Sequence, residues 1–231
     1  LTIKNNIEHV LENIKKCANN SSRNPEDIGL IAVTKTIDID TIKEAIEYGI
    51  TDIGENKVQE LITKYEEIGP AVKWHLIGHL QRNKVKYIID KVDFIHSLDS
   101  YRLGKEINKR AKAIDRTIEC LVQVNVSGED TKFGVSIEEL KELLNKLNTL
   151  NNIKVVGLMT MAPHVEDKEE TRQYFKTLKD LSDEVAKLDF KNIEMKYLSM
   201  GMSNDFEVAV EEGANFVRVG SKIFGKRDYS K

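Results

Sequence analysis

Residues 118–161 read IECLVQVNVSGEDTKFGVSIEELKELLNKLNTLNNIKVVGLMTM, and the order of patterns along them decides the fold. Ile118 to Val126 is a run of apolar and β-branched residues of the length one strand needs. Ser136 with Glu139 three residues on is a capping box, in which the serine oxygen takes up an N–H that the first helical turn leaves free. Leu140, Leu143, Leu144 and Leu147 then fall on one face of that helix. Val155 to Met161 is a second apolar run. Strand, amphipathic helix, strand is the unit that joins two parallel strands by a right-handed crossover.

The same alternation continues outward in both directions. Ile28 to Val33, Asp52-Ile53-Gly54, Lys73 to Gly78 and Val92 to Ser97 precede the quoted stretch, and Met195 to Met200 and Phe216 to Gly220 follow it, giving eight predicted strands in all. Between the first two, Asp40 is placed to cap a helix carrying Ile42, Ala45 and Ile46, which Gly49 ends. Ahead of the first strand, Ile3, Ile7, Val10, Leu11 and Ile14 recur at helical spacing until Asn19-Asn20-Ser21-Ser22 and Pro25 stop the pattern. Eight β/α units in 231 residues predict a closed (β/α)8 barrel of the TIM type with an extra N-terminal helix. A doubly wound sheet would carry G-x-G-x-x-G after its first strand, and that turn is absent. No linker divides the chain, so one domain over residues 1–231 is expected.

Composition narrows the function. A net charge of −3 offers nucleic acid no general attraction, and the short basic run Gln81 to Lys86 reads as a solvated helix face. No apolar run approaches the roughly 20 residues of a membrane helix, and the opening residues lack the pattern of a secretory signal. A cytoplasmic protein is expected. Cys17 and Cys120 form no C-x-x-C pair and read as plain thiols. His75 and His79 stand four apart, but His75 lies within a strand, so they share no helix face and no metal is expected.

A (β/α)8 barrel gathers its chemistry at the C-terminal ends of its strands. The first strand ends Val33-Thr34-Lys35-Thr36, which sets a lysine at the mouth. An amine drawn partly out of water there can attack an aldehyde to form an imine. The seventh ends Ser199-Met200-Gly201-Met202-Ser203-Asn204-Asp205 and the eighth Arg218-Val219-Gly220-Ser221-Lys222. Glycines let backbone N–H groups approach an anion and serines add hydroxyl donors, so these two ends suit a phosphate group facing the lysine. The second strand adds Gly54-Glu55-Asn56, whose amide is placed to hydrogen-bond a ring substituent.

Longer stretches carry a family resemblance. Ile53-Gly54-Glu55-Asn56-Lys57-Val58-Gln59-Glu60, Trp74-His75-Leu76-Ile77-Gly78-His79-Leu80-Gln81-Arg82-Asn83-Lys84, His96-Ser97-Leu98-Asp99-Ser100, Gly157-Leu158-Met159-Thr160-Met161-Ala162-Pro163, Leu198 to Ser203 and Arg218 to Gly225 occur in family order over nearly the whole chain. The chain resembles the pyridoxal 5′-phosphate (PLP) homeostasis proteins, single-domain PLP-binding barrels related to the barrel domain of alanine racemase. The resemblance implies that Lys35 forms the imine with PLP, that Ser203 with the Gly220 and Ser221 backbone grips the phosphate, and that Arg218 faces the pyridine nitrogen. Ser221 and Lys222 stand where many relatives carry threonine and alanine; Ser221 keeps the hydroxyl.

The resemblance implies a PLP carrier that buffers the cofactor and passes it to PLP-dependent apo-enzymes. The alternative is a PLP-dependent amino-acid racemase or related enzyme, and a third reading is a barrel that binds another phosphorylated metabolite without an imine. Racemisation needs acid/base groups on both faces of the substrate carbon, and Lys35 serves one. In alanine racemases the tyrosine opposite comes from the partner subunit's second domain, for which this sequence carries no counterpart. Tyr48, Tyr65, Tyr87 and Tyr197 fall in helix or strand segments. A monomer without robust turnover is therefore expected, and Lys132, after the fifth strand, is a candidate second attachment point for the aldehyde.

Overall fold

The computed structural model describes residues 2–129 and 132–225; sequence readings that touch Leu1, Asp130, Thr131 or residues 226–231 lie outside them. Eight parallel strands close on themselves in chain order: β1 Gly29–Val33, β2 Asp52–Glu55, β3 Lys73–Leu76, β4 Phe94–Leu98, β5 Ile118–Gln123, β6 Ile153–Met159, β7 Ile193–Met202 and β8 Phe216–Val219. Closure is made by β1 against β8, with Ile31 opposite Arg218. This is the (β/α)8 barrel that the alternation implies.

Strand alternation divides the core into two layers. In β1, Leu30 and Ala32 face the helices while Ile31 points into the barrel with Phe94, Leu121, Val156, Met159 and Phe216. Successive side chains in a strand point to opposite faces, so a parallel barrel covered by helices needs apolar residues at nearly every position. That is why its strands read as continuous apolar runs.

The helices form for the reasons their sequences give. In α1, Ile3–Asn20, the buried face is Ile7, Val10, Ile14, Cys17 and Ala18, and Thr2 caps the start. This helix packs on α7, Phe206–Glu211, and α8, Ser221–Phe224, and Asn6 donates to the Ile223 carbonyl at 2.8 Å. In α5, Ile137–Leu147, the Ser136 hydroxyl accepts the Glu139 N–H, and the four predicted leucines are buried.

Two expectations need correction. The cap of α2, Ile39–Glu47, is Asp38 rather than Asp40. Asp38 Oδ1 accepts the Thr41 N–H at 2.9 Å, because the helix starts two residues earlier and leaves Asp40 in its first turn. Gly49 does end it, at φ +95°. The second correction concerns strict alternation: the described link between β3 and β4 is a 3-10 helix, Arg82–Tyr87, in which Val85 alone is buried. Its single inward residue does not make the apolar stripe of a full α-helix. The remaining helices are α3 Val58–Ile68, α4 Tyr101–Lys112 and α6 Arg172–Val185.

Candidate functional site at the barrel mouth

Lys35, Asn56, Ser203, Arg218, Gly220 and Ser221 all line one cavity of about 920 Å³. It opens at the C-terminal ends of the strands, where β1, β2, β7 and β8 stop. A groove of about 1190 Å³ lies elsewhere, between the 3-10 helix and α4, and holds none of these residues.

Lys35 sits in the turn after β1, and the residues on either side of it are fastened. Thr34 is fully buried. Its hydroxyl donates to Glu55 Oε1 at 2.6 Å, and its carbonyl accepts from Lys64 Nζ at 2.7 Å. Thr36 has φ +64°, unusual for a β-branched residue, and its N–H donates to Glu60 Oε2 at 2.8 Å. Lys64 reaches in from α3 to Glu55 at 2.7 Å and Glu60 at 3.2 Å. Burial pushes the Glu55 carboxyl above its usual value, and Lys64 opposes that rise. The lysine backbone is thus held by a buried polar cluster while its side chain stays partly open to the cavity.

Across the mouth, Ser203 Oγ accepts the Gly220 N–H at 3.2 Å, which joins the ends of β7 and β8. Asp205 shapes the same turn by accepting the Met202 N–H at 2.6 Å. Burial raises the Asp205 carboxyl, with the Met202 N–H and Arg218 acting against it. At the rim, Glu207 lies between Lys222 at 3.0 Å and Lys168 at 3.4 Å.

Arg218 forms the floor. It is buried, with Nη1 donating to Ser199 Oγ at 2.6 Å and Nη2 to the Thr160 carbonyl at 2.8 Å. Burial pulls its guanidinium down to about 10, with Asp205 opposing. It therefore stays charged at neutral pH and keeps further N–H donors beyond those two. Asn56 lines the wall, and its buried Oδ1 has no hydrogen-bond partner.

Several residues at the site escaped sequence reasoning. Ser199 and the Thr160 carbonyl hold Arg218, and the loop from Met161 to Lys168 walls one side of the cavity. Ser199 left a faint trace, a small hydroxyl inside an apolar strand. Lys132 does not line the cavity and pairs with Glu129 at 3.2 Å. His75 and His79 do not converge: His75 is inside the barrel, and His79 stacks on Phe133 at 4.2 Å near Asp99. Among the described residues no three His, Cys, Asp or Glu side chains are grouped to hold a metal.

Residues 5–228 match the family model described as "Alanine racemase, N-terminal domain", so the fold belongs to that class of barrel. The chain is 45% identical to the pyridoxal phosphate homeostasis protein of Aquifex aeolicus over 96% of this chain and 97% of that one. It belongs to the pyridoxal phosphate homeostasis protein family. Among solved structures, an unknown protein from Bifidobacterium adolescentis is similar with TM-score 0.92 and 35% identity, covering 96% of this chain and 94% of that one. PipY of Synechococcus elongatus, solved with PLP bound, is similar with TM-score 0.80 and 33% identity, covering 92% of this chain and all of that one (100%).

Proposed function

We propose that this protein binds PLP in the mouth cavity, with Lys35 as the residue of covalent attachment, and serves intracellular PLP homeostasis by buffering and delivering the cofactor. The observation that carries this reading is the convergence of Lys35, Arg218 and the Ser203, Gly220 and Ser221 cluster on one cavity. The names of its relatives and the PLP in PipY support it.

The residues present fit the cofactor. Asn56 keeps an unpartnered buried amide oxygen at the cavity wall, and Arg218 holds unused donors on the floor. When bound, PLP supplies an aldehyde that condenses with an amine and releases water. Lys35 is the amine, and its fastened neighbours orient it. Ser203, Ser221 and the backbone at Gly220 hold the phosphate. Arg218, still protonated at neutral pH, donates toward the pyridine nitrogen and keeps that nitrogen unprotonated. A ring so held is a weaker electron sink than a protonated pyridinium.

We further assign the chain as one PLP-binding domain over residues 1–231, acting as a cytoplasmic monomer that passes PLP to apo-enzymes. Among the described residues no helix is long and apolar enough to cross a membrane.

The test loads the purified protein with PLP, records its visible spectrum, reduces it with borohydride and maps the labelled peptide. Label on Lys35, and loss of the visible band in Lys35→Ala, is the expected outcome. Label on Lys132 instead of Lys35 contradicts the assignment. Sustained α-proton exchange with added amino acids would convert the carrier into an enzyme.

A further inference from the structure

The barrel interior contains a file of buried polar side chains that the cofactor-binding reading does not use. Starting below the cavity, Arg218 Nη1 donates to Ser199 Oγ at 2.6 Å. Ser199 Oγ lies 2.9 Å from His96 Nδ1. His96 Nε2 lies 2.9 Å from His75 Nδ1, and His75 Nε2 lies 2.9 Å from Asp52 Oδ1. Asp52 opens β2, so the file runs through β8, β7, β4 and β3 to the opposite end of the barrel. Both imidazoles and Ser199 have no exposed surface. His75 is stacked on Phe94 at 4.7 Å, and Phe216 meets both rings, at 5.4 Å from His75 and 5.7 Å from His96.

The Asp52 acceptor and the neutrality of both rings fix the direction of every hydrogen bond from Asp52 to Ser199. Asp52 is an acceptor when ionised. Burial pushes its carboxyl up, yet hydrogen bonds from His75 and Thr51 hold it below the usual value. His75 must therefore carry its proton on Nε2. Burial lowers His75 despite the attraction of Asp52, so the ring is neutral and its Nδ1 accepts. His96, lowered further by burial and by the neighbouring His75 and Arg218, is also neutral. It must donate from Nε2, which leaves Nδ1 as an acceptor for the Ser199 hydroxyl. Ser199 has only one proton, so its oxygen is free to accept from Arg218, which can only donate. Reasoning from Asp52 upward through two neutral rings ends on a Ser199 oxygen that can accept from Arg218, so the polarity is compatible with both ends and no member is frustrated.

We infer that Ser199, His96, His75 and Asp52 are positioning residues for Arg218, forming a one-way hydrogen-bond chain that dictates where the guanidinium directs its remaining donors. Without Ser199 as an acceptor, Nη1 has no partner on the floor and is free to turn toward the cavity. Without Asp52, His75 loses its tautomer preference, and the change passes through His96 to Ser199. A chain of buried hydrogen bonds polarises along its length, so its far end matters to its near one. The consequence for the cofactor rests on the PLP reading above; the polarity of the chain does not.

The experiment has two parts that separate these. In the full chain without cofactor, labelled with ¹⁵N-histidine, long-range ¹H–¹⁵N correlation at neutral pH reads each ring, with single histidine variants giving the assignment. Both His75 and His96 are expected as neutral Nε2–H tautomers. An Nδ1–H ring or an imidazolium at either position overturns the chain, whatever the protein binds. PLP titrations of Ser199→Ala, Asp52→Ala and Ser97→Ala then test positioning. Ser97 is the control, a neighbouring buried hydroxyl without a hydrogen-bond partner.

Ser199→Ala and Asp52→Ala are expected to weaken PLP binding by about tenfold and to move the visible band of the bound cofactor, as loss of an ordered charge-assisted hydrogen bond implies. Ser97→Ala should stay within about twofold of the unmodified chain. An unchanged band and affinity in Asp52→Ala, which lies outside the cavity, would overturn the chain as a positioning device. If Ser199→Ala fails to fold, Ser199→Thr retains the hydroxyl and should restore the band. If the unmodified chain binds no PLP, the functional proposal fails while the histidine spectra still judge the chain.

Discussion

At the scale of single residues, Lys64 carries more consequence than its sequence position suggests. It stands four residues after Glu60 in a helix, the ordinary spacing of a surface ion pair. Instead it is buried and meets Glu55, whose side chain has no exposure at all. Breaking a buried pair by removing one partner strands the other charge, which costs about 3–5 kcal/mol. Lys64→Met is therefore expected to lower unfolding free energy by about that amount in urea titrations, and Glu55→Gln in the same chain should recover a large part of it. Because Thr34 bonds to both partners, the single variant should also weaken PLP binding through Lys35. Sequence reading found Lys35 from its place after an apolar run. It had no means of finding Lys64, since burial of a helix lysine depends on how α3 docks against the ends of β1 and β2.

Among the elements, the contact between β6 and β7 is the most sterically demanding. Its register shifts between Val155 and Gly157. A Cβ added to Gly157 would lie 1.8 Å from the Tyr197 carbonyl oxygen, a backbone atom that cannot step aside. Gly157→Ala should force these strands apart, with a loss on the order of 3 kcal/mol or more in the unfolding free energy from denaturant titration, at the severe end for a single substitution. An unfolding free energy within about 0.5 kcal/mol of the unmodified protein would show that the pairing tolerates a side chain. Seven of the eight strands were visible as apolar or β-branched runs and the second rested on Ile53 alone, but several of their ends were not visible. The third was expected to reach Gly78 and stops at Leu76, while the seventh was expected to end at Met200 and runs to Met202. Strand ends follow the partner's register and the bulges between partners, which apolar runs do not encode.

For the whole molecule, the buried histidines link stability to pH. His75 faces Asp52 from β2, Asp93 ahead of β4, and Lys73 on its own strand. His96 faces His75 and Arg218. Burial depresses both rings in the folded state, while in the unfolded chain a histidine titrates near about 6.5. The unfolded state therefore binds protons that the folded state refuses. The stability these rings contribute is full above about pH 6.5 and is lost as pH falls toward their folded values. Each contributes a slope of up to about 1.4 kcal/mol per pH unit in that window. Unfolding free energy measured against pH should show it, and His96→Gln should reduce the slope even where it lowers stability overall. PLP adds a second linkage, since ligand at about one hundred times its Kd stabilises the folded state by about 2.7 kcal/mol. Lys35→Ala should lose most of that increment, and an equal increment in both proteins would place PLP elsewhere.

By itself the sequence determined the barrel and the location of its mouth. Alternating strand and helix periods leave a parallel sheet few ways to close, and the strands locate the mouth to within a few residues of their ends. It also placed six of the residues there, because Lys35, Asn56, Ser203, Gly220 and Ser221 follow a strand and Arg218 stands one residue before the end of β8. Only the tertiary structure decided what lies beneath them. Asp52, His75, His96 and Ser199 are separated by 21 to 103 residues along the chain where they bond to one another, and they meet because closing the barrel turns one face of every strand inward. That inward face is invisible to local pattern, since parallel strands covered by helices are apolar on both sides and a buried polar residue reveals its partner only when the sheet has closed.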